Sequence, residues 1–157
     1  MMRRLLLAVL LFPIQFIAQP LIGDDYADSV LLRIENRKNE QGINWIVENV
    51  TNDNRASDSL LLQLHTMLYE FNLTSDANGS RWRTVKALTN QGIVLEHMNA
   101  DSSQVLSKFR KADSLAILHD NKSNMLWTSI RIAKYYLNLG YLNNKEEIRH
   151  YTRVQEL

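Results

Sequence analysis

The chain has 157 residues, enough for one domain with a well-formed core. It carries 18 lysine and arginine residues against 17 aspartate and glutamate residues. A net charge of +1 gives no basic excess of the kind that indicates nucleic-acid binding. The absence of cysteine excludes a disulfide scaffold, thiol catalysis, a thiolate metal site and a lipoprotein anchor.

Residues 1–18 have the layout of a secretory signal peptide. Arg3 and Arg4 precede an apolar run from Leu5 to Phe12, and Ala18 offers a small residue before a cleavage point. The run is shorter than the ~20 apolar residues that cross a bilayer, which favours a cleaved signal over an uncleaved anchor. The sequence therefore predicts a periplasmic or secreted protein.

The first part of the mature chain carries helical patterns. Residues 19–56 contain two short apolar clusters, around Val30 and around Val47, which predict a divergent helical hairpin. Ser57 or Asp58 can cap the next helix, whose apolar residues extend to Phe71. The stretch "NLTSDANGS" then predicts a loop.

Four more helices are predicted towards the C-terminus, and Gly140 is expected to end one of them in the left-handed conformation. They cover about 81–98, 105–118, 125–139 and 145–157. No segment shows the two-residue alternation of a strand. The predicted fold is all-α, with about seven helices joined by short loops.

Two helical hairpins repeat at a nearly fixed period. In the first helices, Gly92 and Leu95 match Ala133 and Tyr136, 41 residues on. In the second helices, the matching positions lie 42 residues apart and pair Phe109, Ala112 and Leu115 with Tyr151, Val154 and Leu157. Paired helices at a fixed period are the signature of a solenoid. The small residue predicts a close helix approach, and the aromatic residues Phe109 and Tyr151 are both predicted to be buried.

The stretches "ALTNQGIVLEHMNADSSQVLSKFRKADSL" and "IAKYYLNLGYLNNKEEIRHYTRVQEL" resemble repeats of the tetratricopeptide repeat (TPR) family, in its longer variant of about 40 residues. The resemblance is clearest over 81–118 and 122–157 and implies a TPR-like region over 57–157. It implies a right-handed α-α superhelix of antiparallel helix hairpins. It also implies a scaffold that binds protein or peptide and has no catalysis of its own.

An exported chain of this type is similar to the periplasmic sensor part of bacterial signalling proteins. The sequence stops at Leu157, which is the end of a predicted repeat, and no polar capping helix follows that repeat. This predicts a truncated sensor or a partner that covers the open end. It also predicts self-association through the last helix, whose apolar residues are Ile148, Tyr151 and Val154.

In the TPR family, the first helix of each repeat lines a concave groove. The matching positions in this chain are Lys86, Thr89, Ile93, Glu96, Ile130, Lys134 and Leu137. A mixed polar and apolar strip suits an extended peptide or a partner helix. The alternative is that Ile93, Ile130 and Leu137 belong to the core and that the charged members are solvated. Trp45, Trp82 and Trp127 are expected to pack rather than to bind.

Catalytic and metal-binding patterns were sought as well. His65, His97, His119 and His150 lie far apart and form no paired ligand motif, so no metal or cofactor is predicted. There is no Gly-x-Ser-x-Gly elbow and no glycine-rich phosphate loop. The alternative function is a small helical ligand-binding protein or enzyme, which requires convergent polar residues in an enclosed pocket.

Overall fold

The computed structural model describes residues 24–36, 40–53, 55–74, 80–141 and 144–156. Over these ranges the chain is all-helical and contains no strand, as predicted. The seven helices are α1 (Asp24–Glu35), α2 (Glu40–Thr51), α3 (Asp58–Thr74), α4 (Ser80–His97), α5 (Ser102–Leu118), α6 (Lys122–Asn138) and α7 (Lys145–Glu156). In these ranges, no helix has both the length and the apolar character needed to cross a membrane. The predicted signal peptide, residues 75–79 of the predicted "NLTSDANGS" loop, and Leu157 lie outside the described residues. The start of that stretch is helical, because α3 extends to Thr74.

The helices begin where short polar side chains can cap them. Ser57 Oγ accepts a hydrogen bond from the Leu60 backbone N–H at 3.2 Å, which confirms the predicted cap of α3. The Asp101 carboxylate accepts from the Ser103 N–H at the start of α5. Such caps satisfy N–H groups that have no partner within the helix.

Three successive helices end in the same way. Asn99, Asp120 and Gly140 adopt left-handed backbone conformations, with φ of 54°, 48° and 73°. In each case the following residue donates its N–H to the carbonyl five residues earlier; the pairs are Ala100 to Leu95, Asn121 to Ala116 and Tyr141 to Tyr136. This is the Schellman motif. The left-handed end predicted at Gly140 is confirmed, and Asn99 and Asp120 show that short polar residues serve the same purpose.

Helices that follow one another along the chain pack against one another, and α4 also contacts α6. One apolar core lies among α1, α2 and α3 and includes Val30, Val47 and Leu64. A second lies among α4, α5 and α6, around Phe109 and Ile132. The packing therefore places α4 and α6 side by side.

Helices α4 and α5 approach each other closely at Gly92. A Cβ atom built on Gly92 would lie 2.6 Å from Cδ1 of Phe109, whose side chain is fully buried. The same ring meets Tyr135 edge-on, with ring centroids 6.0 Å apart. The predicted close approach at a small residue is confirmed for this hairpin.

Gly92→Ala is expected to destabilise the protein by about 1–2 kcal/mol. Alanine favours a helix over glycine by ~1 kcal/mol, but overpacking a tight core costs ~1–3 kcal/mol, and the buried Phe109 ring has no free space to enter. Urea unfolding measures the difference, with the exposed Ser107→Ala on α5 as the control. A Gly92→Ala protein as stable as the wild type would contradict this packing.

The predicted register of the last helix is wrong. Ile148 and Tyr151 are 51% and 45% exposed, whereas Glu147 and His150 are buried. These two buried positions lie 41 residues after the buried Leu106 and Phe109 of α5. The second helices of the two hairpins are therefore offset by 41 residues, as the first helices are. The 42-residue match was one residue too long, and it assigned Tyr151 to the buried position that His150 occupies.

Polar contacts explain why α7 buries this face. Arg153 donates to the Asp113 carboxylate at 2.6 Å, and Thr128 donates to the same oxygen at 3.0 Å. His150 Nδ1 lies 3.3 Å from Ser129 Oγ. These groups from α5, α6 and α7 satisfy one another, which makes their burial acceptable. Glu147 differs, since its Oε2 is buried without a hydrogen-bond partner. Hydrogen bonds and the Arg153–Asp113 ion pair therefore join α7 to α5 and α6.

Candidate functional site

Helices α2, α4 and α6 meet along one side of the molecule, called here the α2–α4–α6 face. Three side-chain contacts join them: Lys86 Nζ to Glu48 Oε1 at 3.1 Å, Asn124 Nδ2 to the Trp82 carbonyl at 3.3 Å, and Asn138 Nδ2 to Glu96 Oε1 at 2.9 Å. Two predicted groove residues, Lys86 and Glu96, are thus contact residues of this face. Lys86 forms an exposed ion pair with Glu48 of α2, and Glu96 accepts a hydrogen bond from Asn138 of α6.

The groove residues predicted on α6 are open to solvent. Ile130 and Leu137 are 40% and 44% exposed, and Lys134 is exposed between them. Spacings of four and three residues place all three on one side of the helix. This arrangement supplies an accessible apolar strip with one cation.

Two groove residues predicted on α4 lie deeper. Thr89 is fully buried, and its hydroxyl donates to the Val85 carbonyl at 2.9 Å. Ile93 is partly buried against the second core. The core alternative, which named Ile93, Ile130 and Leu137, therefore holds only in part for Ile93, because Ile130 and Leu137 are surface residues.

Each helix of the face carries an exposed tryptophan. Trp45 on α2, Trp82 on α4 and Trp127 on α6 are 53%, 38% and 39% exposed, so none of the three is a core residue. Trp45 lies three residues before Glu48, and Trp127 three residues after Asn124. That helical spacing makes Trp45 a neighbour of Glu48 on α2, and Trp127 a neighbour of Asn124 on α6.

A cation accompanies each of these rings. The Arg33 guanidinium lies 5.9 Å from the Trp45 ring centroid, Lys86 Nζ lies 5.7 Å from Trp82, and the Arg131 guanidinium lies 4.4 Å from Trp127. Cations at such distances are attracted to the aromatic face. The contacts restrict the indoles and keep them at the surface.

A cavity of about 380 Å³ opens between α2, α3 and α4. Its lining mixes apolar walls with amide, hydroxyl, imidazole and charged groups: Asn44, Val47, Glu48, Thr51, Asn52, His65, Leu68, Trp82, Arg83, Lys86 and Asn90. Of these residues, only Lys86 was predicted from sequence as a binding residue. The other polar residues lie on α2 or directly after it, on α3 and on α4, so they converge only in the fold.

His65 lies at the buried side of this cavity. Burial, with a smaller effect from the Lys86 cation, lowers its pKa to about 4, so the ring is uncharged at neutral pH. Nε2 lies 3.5 Å from Thr51 Oγ1, and Nδ1 has no hydrogen-bond partner. The backbone carbonyl of His65 accepts from Gln91 at 3.1 Å, which ties α3 to α4.

The depressed pKa predicts a pH-dependent stability. Because the folded-state pKa lies below the ordinary 6.5, the support that neutral His65 gives to folding is complete above about pH 6.5 and is lost as the pH falls towards 4. This shift corresponds to about 3 kcal/mol. His65→Gln is expected to reduce the loss of unfolding free energy below about pH 6.

Urea unfolding over a pH series measures this difference, and His97→Gln, at the exposed end of α4, is the control. A His65→Gln protein with the same pH dependence as the wild type would contradict the assignment to His65.

The side chains of the described ranges include no group of three His, Asp or Glu residues able to hold a metal ion. Comparison of the chain with protein-family models, curated proteins and solved structures finds no match. The geometry of the α2–α4–α6 face and of the cavity is therefore the basis for a functional proposal.

Proposed function

We propose that the chain is an exported, TPR-like helical-repeat protein that acts as a scaffold and binds a protein or peptide along the α2–α4–α6 face. The observation that carries this proposal is the set of three exposed tryptophans, Trp45, Trp82 and Trp127, one on each helix of the face. Tryptophan and arginine are enriched among the residues that contribute most to protein interfaces.

The exposed strip on α6 supports the same proposal. Ile130 and Leu137 offer apolar contacts about two helical turns apart, and Lys134 lies between them. An apolar strip beside charged groups fits an amphipathic helix or an extended segment with alternating side chains. An acidic residue in the partner would pair with Lys134.

A peptide library displayed on phage tests this function. Selection on the wild type is expected to enrich peptides of about micromolar Kd. Trp45→Ala combined with Trp127→Ala should weaken their binding at least about tenfold, because each truncation removes an accessible aromatic contact. The control is Ile117→Ala combined with Leu118→Ala, which removes exposed apolar area at the end of α5. The proposal would be contradicted if no peptide were enriched, or if both double variants lost peptide affinity to the same extent.

Export is part of this proposal and rests on the sequence pattern of residues 1–18. The mass of the protein recovered from the cell envelope is expected to show the loss of about 18 to 23 N-terminal residues. A full-length cytoplasmic species would contradict export. The resemblance to periplasmic sensor proteins favours a sensor role for this scaffold. In that role, the α2–α4–α6 face binds the signal for an effector domain.

A further inference from the structure

The cavity between α2, α3 and α4 has features that a peptide-binding face does not require. Its volume of about 380 Å³ lies at the lower end of the ~300–1,000 Å³ typical of small-molecule sites. Three asparagines, Asn44, Asn52 and Asn90, line it together with Thr51 and His65. Convergent polar groups over an apolar wall are the usual composition of a ligand pocket.

The charged residues of the cavity already have partners. Lys86 pairs with Glu48 at 3.1 Å, and the Arg83 guanidinium lies 5.2 Å from the Trp82 ring centroid. The charge of Lys86 is therefore offset within the lining. An anionic ligand would have to compete with the Glu48 carboxylate for this ammonium group.

The remaining polar groups are neutral and can both donate and accept hydrogen bonds. They are the amides of Asn44, Asn52 and Asn90, the hydroxyl of Thr51 and the uncharged imidazole of His65. The Thr51 hydroxyl and the Asn52 amide already donate to the Val47 and Glu48 carbonyls, which leaves their oxygens as acceptors. Asn44 Nδ2 and His65 Nδ1 are buried without a hydrogen-bond partner. An unsatisfied buried polar atom costs free energy. Both atoms are shielded from solvent, so a ligand hydroxyl would recover this cost only when the Asn44 or His65 side chain turns towards the cavity.

We propose that this cavity binds one small, neutral, hydroxyl-rich molecule of the monosaccharide or polyol class. Each hydroxyl of such a ligand donates and accepts, which matches the amide and imidazole groups. Val47, Leu68 and the Trp82 indole offer apolar surface to its C–H faces. The proposal goes beyond peptide binding, since Trp45 and Trp127 do not line the cavity.

Protein-observed NMR titration tests the ligand class. The neutral compounds are D-glucose, D-galactose, D-ribose, glycerol and myo-inositol, and sodium succinate is the anionic compound for comparison. At least one neutral compound is expected to give saturable shifts with a Kd of about 1 mM or below. Its affinity should be the same at low and high sodium chloride concentration, because no net charge is involved. Absence of saturable shifts with every neutral compound, or salt-sensitive binding of succinate alone, would overturn the proposal.

Paired asparagine variants test the location. Asn44→Ala and Asn90→Ala are each expected to weaken binding of the neutral ligand about tenfold, through the loss of a hydrogen bond. Asn49→Ala is the matched control, because Asn49 lies on α2 but is exposed and does not line the cavity. Thermal unfolding establishes that each variant is folded. Unchanged affinity in both cavity variants would show that the ligand does not bind in this cavity. The peptide selection with the Trp45 and Trp127 variants tests the peptide-binding proposal separately, so either proposal can fail without the other.

Discussion

Phe109→Ala is expected to lower the free energy of unfolding by about 3–5 kcal/mol, the usual cost of removing a buried aromatic ring. The Phe109 ring is fully buried, lies against Gly92 on α4 and meets Tyr135 on α6. Its removal therefore leaves a cavity where three helices meet. Urea unfolding followed by circular dichroism measures the change.

Tyr151→Ala is the discriminating control. The sequence register placed Tyr151 in the same position of the hairpin as Phe109, but the side chain is 45% exposed on α7. Its truncation is expected to cost less than ~1 kcal/mol, as for most surface substitutions. Similar large losses in both variants would support the 42-residue register and contradict the packing of α7 described above.

Arg153→Met is expected to destabilise the protein by about 3 kcal/mol, because it leaves the Asp113 carboxylate buried without its cation. The two side chains are only 15% and 11% exposed, and their atoms lie 2.6 Å apart. Hydrogen exchange should show α7 as the region that loses most protection, since Arg153 links α7 to α5. Urea unfolding gives the magnitude.

A double variant separates the charge effect from the loss of packing. Asp113→Leu combined with Arg153→Met replaces the ion pair with apolar side chains, which is often neutral in a buried position. The double variant is therefore expected to be more stable than Arg153→Met alone. A double variant at least as unstable as the single one would show that the uncompensated charge is not the cause.

The helices could be predicted from sequence because their signals are local. Apolar residues recur at helical spacing from Leu60 onwards, and Ser57 and Gly140 mark ends that backbone geometry explains. The small residue Gly92 also predicted a close helix approach, since only a residue without a side chain leaves room for the Phe109 ring.

The buried face of α7 could not be predicted in the same way. Hydropathy ranks Ile148 and Tyr151 above Glu147 and His150, but burial of the latter pair depends on where α7 sits against α5 and α6. Ser129 contacts His150 from α6, and Asp113 contacts Arg153 from α5. Such partners are distant in sequence, so single-residue patterns do not reveal them.

The candidate binding residues were predicted only in part. The resemblance to TPR repeats identified Lys86, Ile130 and Leu137, which lie on the α2–α4–α6 face or its exposed strip. The tryptophans were expected to pack rather than to bind because large apolar side chains are usually buried, and no local signal distinguishes an exposed one. Asn44 and Asn90 gave no signal, since the cavity exists only once α2 and α4 pack together.

The most direct test of the proposed binding face is NMR of the three tryptophan indole N–H groups, assigned by single Trp→Phe variants. Trp45, Trp82 and Trp127 are the only tryptophans in the chain, and each lies on a different helix of the α2–α4–α6 face. A peptide selected on the wild type is expected to shift all three indole signals with one common Kd. Saturable binding that leaves the three signals unchanged would contradict the account and place the binding surface elsewhere.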